Sequence, residues 1–464
     1  MYQPCTDTSD RWSPYDFKWI KEIGTQMIKE VTINCGGLML QRYSGQYMGA
    51  MVERDFTSEK KDLFNEMTGN TVELNNPAYA FNRTNAYPSA AYTESTTGAE
   101  PSIRGRNLYI PINTWFTLNS NCAFPLVALQ YNELSITVTF RPIQDLFQVR
   151  DVFDESYSFP YVKPDFNQAR FQMHRFLQTP PSSDISPDNY ENKVNTWNAD
   201  VHLLSTYCFL SKEETQKFAA EDHIYLVKDV FEHKFDNIIG SKKLKIESNG
   251  MIASWMWFLQ RNDVNLRNEW YNYTNWPYQS LPSNISLAPT TAFSDSSLNV
   301  GMGVHPLTTK LNTGITITGD FKPENRKDIL ETFAILLNGE YRENLMTKDV
   351  YKYVEKYTRT NGFAKDGLYC YNFCLNTSPF EYQPSGAINM NKFKNIEVEL
   401  NTYIPSIDTT SSSFDVVCDD NGNLIGVRNS NYRLYEYSYN LTLYEERYNV
   451  FSIIGGNCGM MHAR

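Results

Sequence analysis

Two stretches of strict alternation mark the chain. In LSITVTF, Leu134, Ile136, Val138 and Phe140 fall on one face of a strand, and Ser135, Thr137 and Thr139 on the other. In NIEVEL, Ile396, Val398 and Leu400 take one face while Asn395, Glu397 and Glu399 take the other. Turn chemistry leads into the second: Pro384 fixes φ, Ser385 can bond its own backbone, and Gly386 supplies a positive φ. Aligned without a gap, residues 108–140 and 368–400 superimpose the alternating strands and bring Pro125 within one position of Pro384. Upstream, VTINCGGLMLQRY resembles FAILLNGEYREN: an apolar strand, a glycine turn, then an arginine. Two elements recurring in one order predict a duplicated domain.

The remaining pattern fits that plan. Residues 27–40 read as two strands about Gly36-Gly37. Residues 44–54 and 57–67 read as helices; in the second, Leu63, Phe64 and Met67 form the apolar stripe, Thr57 or Ser58 caps, and Gly69 stops the run. A strand is expected over 197–210. The capping box Ser211-Lys212-Glu213-Glu214 then starts a helix to about Ala220. The boundary is placed there, giving domains 1–212 and 213–464. The second half predicts strands at 224–235, 252–260, 315–321 and 333–337, a helical turn at 349–357 and a hairpin at 418–427. Its last long strand carries Tyr435, Tyr437, Tyr439, Leu441 and Leu443 on one face. Long loops at 69–106, 150–193 and 265–314 are read as contact surfaces. The expected fold is all-β: two jelly-roll β-sandwich domains in tandem, with short helices in the loops. Residues 212–330 precede the 333–337 strand, but only 1–26 precede its counterpart. The first jelly roll is therefore expected to lack its N-terminal strands, and Met1 not to be the true start.

Composition narrows the function. Charged residues make up 20% and aromatics 14%, with 31 Tyr, 27 Phe and 8 Trp, which suits a β-rich protein with large contact surfaces. A net charge of −11 argues against direct nucleic-acid binding, which needs a basic face. The one dense basic run, Lys242-Lys243-Leu244-Lys245, reads as a solvated strand edge. The opening MYQPCTDTSD has no basic and apolar signal-peptide regions, and no apolar window is long enough to insert in a membrane. Eight cysteines lack metal-type pairing; Cys370 and Cys374 sit too far apart along a strand to bridge, and buried free thiols in a reducing cytosol are expected. Sequons at Asn82, Asn272, Asn284, Asn376 and Asn440 are read as unused.

Candidate chemistry is sparse. The six histidines, His174, His202, His223, His233, His305 and His462, contain no H-x-H pair of the kind a cupin metal site needs; His223 and His233 are read as flanking a strand. The Asp419-Asp420-Asn421-Gly422-Asn423 run has Ser430 where a Ca²⁺ loop needs its bidentate glutamate, so it reads as a hairpin tip. Trp255 and Trp257 share a strand face and read as core, while Trp270 and Trp276 suit protein or glycan contact. No catalytic, cofactor-binding or metal site is expected, no cofactor, and no enzyme activity.

The motifs QPSGAINMNKF, FPLVALQYNELSI, NGEYR and INCGG resemble the double jelly-roll major capsid protein of nucleocytoplasmic large DNA viruses, from about Trp19 to the terminal YNVFSIIGGNCGMMHAR. One departure is that the family has a substantial segment before the position where this chain begins. The resemblance implies a homotrimer forming pseudo-hexagonal capsomers that tile an icosahedral virion shell. It further implies contacts with neighbouring capsomers, minor capsid proteins and penton proteins, and assembly in the host cytoplasm over an internal membrane. The alternative is a carbohydrate-binding or glycan-modifying two-domain β-sandwich protein.

Overall fold

The computed structural model describes residues 17–82, 103, 105–118, 120–150, 161–165, 200–275, 327–381, 383–404 and 437–462, with short strand segments at 2–4, 12–14, 92–93, 98–99, 301–304, 312–317, 414–418 and 424–429. His174, Trp276, Asn284, His305, the 419–423 tip and much of the three long loops lie outside the described residues.

In the first half, β1 (Phe17–Trp19), β2 (Ile28–Cys35), β3 (Leu38–Tyr43), β4 (Leu134–Phe140), β5 (Phe147–Arg150) and β6 (Tyr161–Val162) form two antiparallel sheets, ordered β3-β2-β4 and β6-β5-β1. Gly36 and Gly37, at φ 55° and 83°, make the tight turn between β2 and β3 that side chains resist. The second half is larger. It comprises β7 (His223–Ile238), β8 (Ser241–Lys245), β9 (Met251–Arg261), β10 (Leu330–Leu337), β11 (Glu340–Tyr341), β12 (Leu368–Asn372), β13 (Ile396–Thr402), β14 (Tyr439–Ile454) and β15 (Asn457–Met460). These make an antiparallel sheet β7-β14-β9-β12, extended by β15 beside β14, and a facing sheet β8-β13-β10-β11. The lysine-rich β8 is an exposed edge of that sheet, as the sequence predicts.

The two repeated blocks lie in separate sheets with the same local order. β2 sits between β3 and β4 with Val31 opposite Val138 and Ile33 opposite Ile136. Likewise β10 sits between β11 and β13, with Ile335 opposite Val398 and Leu337 opposite Ile396. The match is partial. Residues 108–112 form no strand where β12 forms one, and no counterpart of β8 pairs with β4 among the described residues. β13, paired on both sides, buries every second residue; β4 stays half-buried, with Phe140 38% exposed.

Two helices follow β3. In α1 (Gly45–Asp55), Ser44 Oγ accepts the Tyr47 amide at 3.4 Å as an N-cap and lies 3.0 Å from the Tyr444 hydroxyl. Every residue of α1 is buried, because the helix is clasped between the two halves. α2 (Ser58–Thr68) ends at Gly69 as expected, but its apolar stripe is narrower: Phe64 is buried while Leu63 points to solvent. α3 (Lys212–Ala220) carries the full capping box, with the Ser211 amide donating to Glu214 Oε2 at 2.9 Å. The expected 349–357 turn is a single turn of π-helix, Val350–Val354, running into α4 (Glu355–Arg359).

The strand expected over 197–210 does not form in its described part. Residues 200–210 join no ladder, and Leu204 and Phe209 are 83% and 95% exposed. Alternation specifies which face a side chain takes; it does not supply a partner strand.

The core divides along β9 and β14. On β9, Trp255 and Trp257 point into the space between the second half's two sheets, against Phe333, Ile335, Val398 and Leu400. Met256 and Phe258 point the other way, into a core shared with Val31, Ile33, Met48, Met51 and Phe147 of the first half. β14 does the same: Tyr439, Leu441 and Leu443 face inward and Tyr444 faces the first half, while farther along the strand Phe451 and Ile453, on the Leu443 side, also join the core shared with the first half. The single-faced strand read from the sequence is thus a central strand covered on both sides.

Candidate functional site

No metal-binding group of three His, Cys, Asp or Glu residues assembles among the described residues. His223 and His233 lie within β7 and do not flank it; their even spacing puts them on one face but ~33 Å apart at ~3.3 Å per residue. Trp255 and Trp257 are sealed in the core, and Trp255 Nε1 donates to Glu445 Oε2 at 2.9 Å. Trp270, a candidate for glycan stacking, donates Nε1–H to the Asp145 carbonyl at 2.9 Å, and the Arg141 guanidinium covers its ring at 4.3 Å. It works as an internal joint. Cys370 and Cys374 are buried free thiols. Asn272 is buried, with Nδ2 donating to Glu269 at 3.2 Å, so its sequon is not presented for modification.

The chemistry concentrates instead where the halves meet. Arg54, at the end of α1, donates to both oxygens of Asp55 at 2.9 and 2.7 Å, to Glu446 Oε1 at 2.6 Å and to Ser254 Oγ at 3.1 Å. Glu446, on the face of β14 toward the first half, also accepts Tyr47 OH at 2.8 Å and Ser254 Oγ at 2.7 Å. Thr377 Oγ1 donates to Asp55 at 2.5 Å. All these groups are buried, so the network is a fully bonded polar bolt through an apolar interface. Beside it, the last carbonyls of α1 are capped from the second half: the Gly362 amide donates to Arg54 O at 2.8 Å, and the Phe363 amide to Glu53 O at 3.1 Å. A Cβ on Gly362 would lie 2.3 Å from that Arg54 oxygen, so only glycine fits there.

A second buried cluster borders the first. Glu53 accepts from Lys61 and from the Tyr271 hydroxyl, the Lys365 ammonium lies 3.0 Å from the Tyr271 ring centroid, and Asn70 Nδ2 donates to Glu22 at 2.7 Å. Burial, with the Glu53 charge adding to it, pushes the Glu22 carboxyl up; burial pushes the Lys365 ammonium down. Sequence reading missed both clusters. The signal was present as Glu53-Arg54-Asp55 ending an otherwise apolar helix, and as Glu445-Glu446-Arg447 interrupting an apolar strand. Charges inside a core element have to find partners.

Two family models cover this architecture. Major capsid protein N-terminus matches residues 2–178, and large eukaryotic DNA virus major capsid protein matches residues 214–459, more than half of the chain. The chain belongs to the large eukaryotic DNA virus major capsid protein family.

The major capsid protein of Phaeocystis pouchetii virus is 22% identical over 440 residues, spanning 84% of this chain and 78% of that protein. That of Chrysochromulina ericina virus is 24% identical over 250 residues, spanning 52% of this chain and 38% of that protein. Among solved structures, PBCV-1 VP54 aligns over 97% of this chain and 87% of its own at TM-score 0.57 and 18% identity. The fold of this major capsid protein is the double jelly roll, and its role is structural, in the virion capsid, not enzymatic.

Acid should destabilise this capsid protein, at the junction and within its second half. Burial alone would raise Glu446, but the Arg54 charge overrides it and holds the carboxyl at about 2. Asp366 is likewise held at about 2 against burial by its bonds to Lys327 and Lys352. Asp263 lies well below the usual range, where bonds from Arg261 and Arg267 overcome burial. In each case the folded value lies below the unfolded one, so the unfolded chain binds more protons in between. Their stabilisation is present above about pH 4 and is lost as pH falls toward about 2. Asp55, Glu22 and Glu355, raised by burial, have the opposite sign, but their effect is complete before pH falls below about 4. Urea midpoints are expected to fall steadily between about pH 4 and pH 2; a flat midpoint across that window would contradict the assignment.

Proposed function

We propose that three copies of this chain associate into a capsomer of pseudo-hexagonal outline, and that such capsomers tile an icosahedral shell. The observation that carries this reading is the junction. One face of the β7-β14-β9-β12 sheet packs on the first half, and the Arg54 bolt crosses the contact, so the two halves form one stiff block. A stiff block with two similar lobes gives six lobes around a three-fold axis, which suits close packing in a shell. The exposed strip Val201, Leu203, Leu204, Tyr207 and Phe209 supports association, because apolar surface of that kind is normally covered.

The finer assignments follow from the same reading. Minor capsid and penton proteins would contact the capsomer edges, no nucleic acid would bind directly, and the shell would assemble in the host cytoplasm over an internal membrane without inserting into it. The domain boundary falls at the start of α3, giving 1–212 and 213–464.

Light scattering on the purified chain tests the central claim. A species of three times the 53.7 kDa chain mass is expected at micromolar concentration. Replacing Leu204 and Phe209 together by Asp is expected to shift it toward monomer while leaving the fold intact. A parent chain that stays monomeric would overturn the proposal.

A further inference from the structure

The C-terminal hairpin of β14 and β15 turns at Gly455-Gly456 and lodges against the first half. The Gln130 amide donates to the Gly456 carbonyl at 3.2 Å, and Asn132 Nδ2 donates to Asn457 Oδ1 at 3.5 Å. Inside this contact lie two thiols 423 positions apart in sequence. Cys35 ends β2 beside the Gly36-Gly37 turn and is wholly buried; Cys458 lies on β15 opposite Ile453 and is partly exposed. Cys458 Sγ donates to the Cys35 carbonyl at 3.3 Å, and the Cys458 thiol lies near enough to act on the ionisation of the Cys35 thiol. Both are free thiols.

We propose that Cys35 and Cys458 are a disulfide-forming pair, which a small-molecule disulfide oxidant converts to a cystine joining the first half to the C-terminal hairpin. The Gln130 and Asn132 contacts hold the hairpin against the end of β2, which brings the two cysteines together. The step balances by two exchanges. The thiolate of the accessible Cys458 attacks one sulfur of the oxidant, forming a mixed disulfide and releasing one small thiolate. The Cys35 thiolate then attacks Cys458 Sγ, forming the cystine and releasing the second small thiolate. The two protons lost by the cysteines pass to the released thiolates; the protein is oxidised by two electrons and the oxidant reduced by two. Burial, reinforced by the neighbouring Cys458 thiol, pushes the Cys35 thiol up to about 12. The second exchange is therefore the slow one and speeds up with pH. A loop this long is also where cross-linking removes the most freedom from the unfolded chain.

The test uses the full chain, reduced and then incubated with oxidised glutathione, followed by digestion without reductant and mass spectrometry. A peptide pair linked through Cys35 and Cys458, lighter by two hydrogens than its free halves, is expected. Bridging should go faster at higher pH, and the melting temperature should rise by several degrees and return on reduction. Cys458→Ser and Cys35→Ala should each abolish the link and the rise; in reduced form Cys458→Ser should melt with the parent, which controls for misfolding at buried Cys35. A stable glutathione adduct on Cys458 without the bridge would overturn the proposal, as would links made mainly to Cys122 or Cys208, or a bridge that leaves melting unchanged.

Discussion

Replacing Arg54 by alanine is expected to cost about 3–5 kcal/mol of stability, the range for removing one partner from a buried ion pair. The cost arises less from the bonds lost than from the charges left behind. Arg54 is the only cation bonded to Glu446 among the described hydrogen bonds, and Asp55 shares it; both carboxylates are buried. Without the guanidinium, water cannot reach them and neither can relax away, since α1 and β14 are held by the surrounding core. Glu446→Gln should cost less, because Arg54 keeps its two-pronged contact with Asp55 and the amide can still accept from Tyr47. Combining Arg54→Ala with Glu446→Gln should cost less than the sum of the single changes, as expected for directly coupled groups. Urea unfolding of the four proteins measures this. An Arg54→Ala unfolding free energy within about 0.5 kcal/mol of the parent would show that the junction does not depend on its bolt.

Reading the sequence reached local elements well and long-range partners poorly. The Gly36-Gly37 turn, the Ser211 capping box and the alternation of Ile396, Val398 and Leu400 are each decided by a few adjacent residues, and each appears where expected. The duplication was legible because it repeats local patterns, and the family because QPSGAINMNKF and its companions are contiguous. What could not be read was whatever needs two distant segments at once. Arg54 meets Glu446 across 392 positions, and Cys35 meets Cys458 across 423. The 200–210 segment failed for the same reason, since its alternation says nothing about a neighbouring strand. For β14 the reading recognised one apolar face and missed that Tyr444, on the other face, packs on the first half. A strand with two buried faces differs from a one-faced strand only through what packs on it.

Trp257→Ala is the second substitution expected to cost about 3–5 kcal/mol, the range for emptying a large aromatic from a packed core. Trp257 has no exposed surface and stacks on Phe333 at 4.2 Å between ring centroids. Tyr351 meets it edge-on at 5.3 Å, and Tyr369 lies beyond at 6.0 Å. These rings join β9 and β12 of one sheet to β10 of the other, so the cavity would open at the centre of the second jelly roll. The site cannot collapse cheaply, because its walls are rigid rings on paired strands. Trp257→Phe provides the contrast. The indole Nε1–H finds no acceptor among the described residues, so removing it gives up no hydrogen bond. Phenylalanine keeps most of the stacking on Phe333 and leaves a smaller void, and it should cost well under half as much as alanine. Thermal and urea unfolding of both variants check the order. Equal losses for the two would mean that the nitrogen, not the ring volume, anchors Trp257, and that a buried partner holds it.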